Sequence, residues 1–152
     1  MNSLVKIILN IVPRSILTRL SFLLKPLIKI YLSGNKYIDP IDGSSFRKFL
    51  PYGYNNVRKN ALSPSTFSLE RHRLLWLYLK NETDFFNKNL KVLHFAPEAA
   101  FLEKFKKLKN ISYDTIDLDS PLANIKADIC DLPLDDESYD FILCNHVLEH
   151  II

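Results

Sequence analysis

The apolar positions of the second half of the chain come in short blocks separated by polar turns. Residues 90–95 (Leu90-Lys91-Val92-Leu93-His94-Phe95) read as a buried strand. Residues 98–108 follow with helical periodicity, Glu103 and Lys107 standing one turn apart. The pattern then predicts a second strand over 112–117, closing on Asp117, a short third strand around 125–128 and a fourth over 139–144. Strands alternating with helical segments argue for an α/β unit with a parallel sheet wound by right-handed crossovers. Ahead of it, residues 68–88 predict a helix, with Ser68 as N-cap and Glu70 at the positive end of the dipole. Leu74 through Leu79 make this helix apolar over much of its circumference, so substantial burial is expected, with Arg71, His72 and Arg73 on a solvated face.

The first half has a different texture. Residues 1–32 are dense in apolar side chains but interrupted by Lys6, Arg14, Arg19, Lys25 and Lys29. No uncharged run reaches the ~18 residues of a membrane span. No small-residue cleavage site follows the short run after Lys6, which argues against a signal peptide. Pro13 and Pro26 are expected to divide the segment into short helices. Such an arm either packs on the domain or lies on an anionic membrane surface as a basic amphipathic segment. Residues 33–67 carry clustered turn residues, among them Asp39-Pro40, Asp42-Gly43, Pro51-Tyr52-Gly53 and Ser63-Pro64. Between them are short aromatic runs, which predicts a small loop-rich module with hairpins.

Composition narrows the picture. With 152 residues, 47% of them hydrophobic and 24% charged, the chain is of globular type and about one domain long. The two cysteines, Cys130 and Cys144, form no disulfide framework, so a reducing cytoplasm is the default. The net charge of +3 is unevenly spread: residues 1–38 hold six basic residues and no acid. Attraction to anionic partners therefore belongs to the arm, and the α/β unit is not expected to bind nucleic acid.

In a parallel sheet, ligands bind outside the carboxyl ends of the strands where the winding reverses. An acidic residue about 20 positions beyond the first turn suits ribose hydroxyls. Asp117 has that position, and Asp119 is a neighbouring alternative. The first turn reads His94-Phe95-Ala96-Pro97-Glu98-Ala99, without the glycines of a dinucleotide fingerprint, which counts against NAD or FAD. In the loop-rich module, Asp39-x-x-Asp42 and Ser63-x-x-Thr66 have the spacing of two zinc knuckles but none of the thiolates. No structural zinc is expected there.

Two further motifs carry a resemblance. Asp128-Ile129-Cys130-Asp131-Leu132-Pro133-Leu134 is followed by Ser138-Tyr139-Asp140-Phe141-Ile142, and then by Asn145-His146-Val147-Leu148-Glu149-His150. As a set they resemble the class I S-adenosylmethionine-dependent methyltransferases, in their type-11-like branch. Phe46 through Gly53, Asn60-Ala61-Leu62, Ser68 through Leu79 and Lys91 through Glu98 resemble a subgroup with an N-terminal zinc-ribbon-like module. The resemblance implies S-adenosylmethionine as cofactor. It implies that Phe95, Ala96 and Glu98 form the first turn around it and that Asp117 holds the ribose. Asp128 and the Ile129 backbone would meet the adenine, and Asn145 would line the floor near the sulfonium. His146 becomes the candidate base for a hydroxyl acceptor, with His94 second; Cys130 and Cys144 are expected to be structural.

The implied organisation is a basic helical arm over 1–36, a degenerate zinc-ribbon-like module over 37–67 and the N-terminal half of a methyltransferase domain over 68–152. Of the family's sheet order 3-2-1-4-5-7-6, the chain would supply an incomplete Rossmann-like 3-2-1-4, as a fragment, with an open apolar edge at its fourth strand. The implied activity is methyl transfer to a small-molecule or glycan-like acceptor, impaired by the missing elements. The alternative is a non-catalytic remnant or interaction module whose arm, residues 1–32, contacts a partner or the inner membrane surface.

Overall fold

The computed structural model describes residues 14–53 and 56–151. The start of the arm, with Lys6 and Pro13, lies outside the described residues. The chain divides into two compact units between Arg73 and Leu74.

In the N-terminal unit, helix α1 (Arg14–Tyr31) runs straight through Pro26, so the expected division of the arm at that proline does not occur. Proline removes one backbone bond from a helix but does not by itself end it. The turn beyond Pro26 keeps its helical bonding and is packed against the core of the unit. The Leu32 N–H donates to the Ile28 carbonyl at 2.9 Å. Leu32 is buried with Phe46 and Phe49, and Ile28, Tyr37 and Leu50 pack around them. Two short antiparallel pairs follow, as the clustered turn residues predict. β1 (Ser33–Ile38) pairs with β2 (Ser45–Phe46), and β3 (Leu50–Tyr52) pairs with β4 (Arg58–Leu62). Asn60 Oδ1 accepts the Phe49 N–H at 3.1 Å and ties the pairs together.

The segments Asp39-Pro40-Ile41-Asp42-Gly43 and Ser63-Pro64-Ser65-Thr66-Phe67 fold as two copies of one turn. In each, the fifth N–H donates to the first carbonyl: Gly43 to Asp39 at 2.8 Å and Phe67 to Ser63 at 3.1 Å. In each, the third N–H donates to the first side chain, at 3.0 Å for Asp39 Oδ1 and 3.3 Å for Ser63 Oγ. The fourth side chain accepts the N–H two residues on, at 2.9 Å for Asp42 and 3.1 Å for Thr66. The fifth residue takes a left-handed φ, 73° at Gly43 and 57° at Phe67. A phenylalanine is strained in that conformation. The two turns face each other. The Thr66 hydroxyl lies 2.5 Å from Asp39 Oδ2, the Ser68 hydroxyl donates to the same oxygen at 3.3 Å, and the Ser65 hydroxyl donates to Asp42 Oδ1 at 3.2 Å. Asp39 is wholly buried, and a carboxylate taken out of water needs that set of donors. Among the described residues, no group of three or more His, Cys, Asp or Glu side chains is placed to hold a metal ion.

Helix α2 (Glu70–Glu82) is shorter than the pattern predicted. Ser68 does not cap it, because its hydroxyl is spent on Asp39; instead His72 Nδ1 accepts the Leu69 N–H at 3.1 Å. Nor do His72 and Arg73 form a solvated face. His72 is buried. Arg73 donates to the Ala61 carbonyl at 3.1 Å and the Ser68 carbonyl at 2.7 Å, and its guanidinium covers the Phe49 ring at 4.8 Å. Burial lowers its pKa, against the opposing pull of Asp39 and Glu70. The expected burial of the helix is also only partial: Leu79 is inside, but Leu74 is 69% exposed. Apolar residues at consecutive helical positions point all round the axis, and only one stripe meets a neighbour.

The C-terminal unit is built on a four-stranded parallel sheet. Its strands are β5 (Leu90–Phe95), β6 (Ile111–Asp117), β7 (Ile125–Lys126) and β8 (Phe141–Cys144), in spatial order β7-β6-β5-β8. This is the arrangement expected of a partial Rossmann-like methyltransferase sheet. Alternation along β5 fills both faces. On one side Leu93 and Phe95 join Ile116, with Ile125, Ala127, Ile129, Cys144 and Val147 packed against them. On the other side His94 meets the rings of Phe101, Phe105 and Tyr113. Phe101 and Phe105 come from helix α3 (Ala99–Phe105). Trp76 of α2 stacks on Phe105 at 5.9 Å. Asp140 and Lys91 lock the register of β8 on β5. The Asp140 N–H donates to the Lys91 carbonyl at 2.9 Å, and Asp140 Oδ2 accepts the Lys91 N–H at 2.7 Å.

Candidate functional site

The carboxyl ends of β5 and β6 and the segment after β7 surround a cleft of about 430 Å³, within the range of small-molecule sites. Phe95, Ala96, Ile116, Asp117, Asp128 and Ile129 line it, together with Leu118, Ala127, Cys130, Val147, His150 and Ile151. Five of the expected cofactor residues, Phe95, Ala96, Asp117, Asp128 and Ile129, are therefore brought to one cavity. Glu98, Asn145 and His146 are not part of its lining. Leu118, Val147 and His150 are, and the sequence pattern did not single them out. Val147 and His150 sit in the His-Val-Leu-Glu-His motif, whose turn into a 3-10 helix (Leu148–His150) folds it over the cleft.

Asp117 is placed by its position as the last residue of β6. Its Oδ1 accepts the N–H groups of Asp119 at 3.0 Å and Ser120 at 2.8 Å. Those bonds fix the carboxylate and leave Oδ2 without a hydrogen bond from the described residues. Asp119, the alternative, contributes its backbone to this turn and does not line the cleft. Asp128 Oδ1 accepts the Cys130 N–H at 2.9 Å. Cys130 is exposed in this turn; Cys144 is half-buried, and burial pushes its thiol pKa up.

Ala96 occupies the first turn with a φ of 47°, the conformation glycine takes without cost. Its N–H is fixed to the Ile116 carbonyl at 2.9 Å. Replacing Ala96 with glycine is expected to stabilise the chain by a net ~0.5–1 kcal/mol, relief of left-handed strain outweighing the larger unfolded-state entropy. A higher urea midpoint at unchanged slope is the expected reading, and a lower midpoint would show that the turn carries no such strain.

Beneath the turn, four side chains form a chain of hydrogen bonds. His94 Nδ1 lies 2.7 Å from Tyr113 Oη and His94 Nε2 lies 2.6 Å from Glu98 Oε2. Asn145 Nδ2 donates to Glu98 Oε1 at 3.4 Å. Burial, and then the Glu98 charge, raise the Tyr113 pKa well above the ordinary phenol range. The phenol keeps its proton, and the His94 ring bridges it to the Glu98 carboxylate. His94 is completely buried and held at both nitrogens. It orients Glu98 and, through it, the end of β8. His146 stands apart, with a φ of 55° and Nδ1 3.2 Å from Glu149 Oε1 on an exposed turn.

The lining suits a nucleoside. Apolar walls from Phe95, Ile116, Leu118, Ile129 and Val147 face carboxylates at Asp117 and Asp128, and the described lining holds neither lysine, arginine nor a glycine-rich loop for a pyrophosphate. Residues 84–152 match the family model of a methyltransferase domain. The match begins just before β5 and covers the sheet and the cleft. It supports a likeness to methyltransferase domains over this part of the chain. No curated protein and no solved structure matches the chain.

Proposed function

We propose that the cleft binds S-adenosylmethionine and that the chain derives from enzymes that methylate a small-molecule or glycan-like acceptor. The observation that carries this reading is Asp117, fixed through Oδ1 with Oδ2 turned free at the end of β6, beside the apolar walls of the cleft. Oδ2 would accept from the ribose hydroxyls, and Asp128 with the Ile129 backbone would meet the adenine edge. Glu98, oriented by His94 and Asn145, would place negative charge toward the amine. The cofactor supplies a methyl group on a sulfonium, already a strong electrophile, so the protein's task is chiefly placement. A base is required only for a hydroxyl acceptor. His146 beside Glu149 is our candidate for that role, and His150 is the histidine that lines the cleft itself.

Six acids and no base between Asp128 and Asp140 make the rim unsuited to a nucleic acid. Among the described residues β8 is an edge strand, with Ile142 58% exposed, so an acceptor wall would need further elements beside it and methyl transfer by these residues alone would be impaired. In the N-terminal unit, the paired turns at Asp39 and Ser63 support a zinc-ribbon-like module in which hydrogen bonds stand in for the metal.

Calorimetric titration of the full chain tests the reading. One-to-one binding of S-adenosylmethionine is expected, and none of NAD. No heat with S-adenosylmethionine at up to ~1 mM, where binding is worth only about 4 kcal/mol, would overturn it. Binding without methyl transfer to any acceptor would favour the non-catalytic module.

A further inference from the structure

We propose that the N-terminal unit docks on an anionic lipid bilayer through a face made by α1 and the basic rim of a second, larger cavity. This inference does not depend on the chemistry of the cleft. Helix α1 carries an apolar row that the described residues leave uncovered: Leu23, Leu27, Ile30 and Tyr31 recur at helical spacing and are 64% to 76% exposed. Tyr31 also lines a cavity of about 710 Å³, so the row and the cavity mouth are continuous. Inside, the cavity is apolar, with Leu32, Tyr37, Phe49, Leu50 and Val57 among its walls. Its charged lining residues are all cations: Lys36, Arg47, Lys48 and Lys59. All four are exposed. Among the described residues none is paired with a carboxylate; Arg47 lies over the Tyr31 ring at 4.6 Å and Lys36 over the Tyr37 ring at 5.6 Å. The unit's neighbouring acids are engaged elsewhere, Asp39 and Asp42 between the paired turns and Glu70 with Arg58.

An apolar row beside a ring of free cations complements a surface that offers acyl chains beneath phosphates. A soluble acidic protein would match the cations but leave the row exposed. A second copy of the chain would bring like charges together. No described helix is long and apolar enough to cross a membrane, so the contact would be peripheral.

Vesicle sedimentation of the full chain tests this. Vesicles of phosphatidylcholine with about 30% phosphatidylglycerol are expected to carry the protein down at ~0.1 M salt and to lose most of it at ~1 M. Pure phosphatidylcholine should bind much less. Each lysine at an anionic surface contributes a factor of about five, so Lys36→Glu with Lys59→Glu should weaken binding about 25-fold or more. Leu27→Glu should also weaken it. All these side chains are exposed, and an unchanged melting temperature would show that the variants remain folded. Sedimentation that is absent, equal on neutral vesicles, or indifferent to the double charge reversal would overturn the proposal. So would a dimer in solution that Leu27→Glu converts to a monomer without any vesicle binding by the parent chain.

Discussion

Replacing Asp39 with alanine is expected to cost about 3–5 kcal/mol and to unfold the N-terminal unit at moderate urea. The carboxylate is completely buried and accepts from the Ile41 N–H and the Thr66 and Ser68 hydroxyls. Its charge also stabilises the half-buried Arg73 guanidinium. Alanine would take the shared acceptor from three donors and remove one of the two charges that favour the Arg73 guanidinium, and uncompensated buried polar groups are the expensive kind. Arg73 in turn fastens β4 through Ala61 and braces Phe49. The loss should therefore spread from the turns to the small aromatic core. Hydrogen exchange over residues 32–73 would report it. Asp39→Asn, which keeps one acceptor, should cost less. A loss below about 1 kcal/mol for the alanine variant would show that the paired turns do not depend on this residue.

Asp117→Ala is expected to weaken S-adenosylmethionine binding by roughly 10- to 100-fold, the worth of about one charge-assisted hydrogen bond or slightly more. Alanine removes both the free Oδ2 and the Oδ1 that holds the turn at Asp119 and Ser120. Asp117→Asn separates the two roles. It preserves an oxygen for the turn while removing the charge, and a smaller loss is expected. Asp119→Asn should change affinity less than about threefold, since Asp119 offers the turn only its backbone. Calorimetry on the three variants is the measurement. Equal losses for Asp117→Asn and Asp119→Asn would point to general charge in the region and against a ribose contact.

The sheet was legible because parallel strands are buried on both faces and write themselves as apolar runs. The run Leu90–Phe95 became β5, and Asp117 closed β6 as its position required. Alternation and winding rules gave a parallel sheet, while its strand order came from the family resemblance. Less legible were positions whose fate depends on a distant partner. Ser68 carries the chemistry of an N-cap, but a buried carboxylate 29 residues away claims its hydroxyl. Pro26 should break a helix, but core contacts at Ile28 and Leu32 carry the helix past it. Arg73 looked solvated because nothing local predicts that its guanidinium lies over Phe49. In the cleft, the strand-end residues were readable. His150 and Val147 were missed because the direction of the turn after β8 is a tertiary matter. The place of Glu98 beside His94 was equally invisible: helical spacing puts them four apart, but His94 lies in a strand.

The order β7-β6-β5-β8 has a consequence for how the protein emerges from the ribosome. β5 is the second strand from one edge, and its last partner, β8, is locked on by an Asp140–Lys91 pair 49 residues apart in sequence. At synthesis rates of about 5–20 residues per second, Lys91 waits roughly 2–10 s for that partner. During this interval β5 presents an unpaired edge next to a ring-lined apolar face. The hairpins and paired turns of the N-terminal unit need no such wait. The nascent chain should thus carry a finished first unit and an unclosed second one, and chaperone capture should concentrate on lengths between β6 and β8.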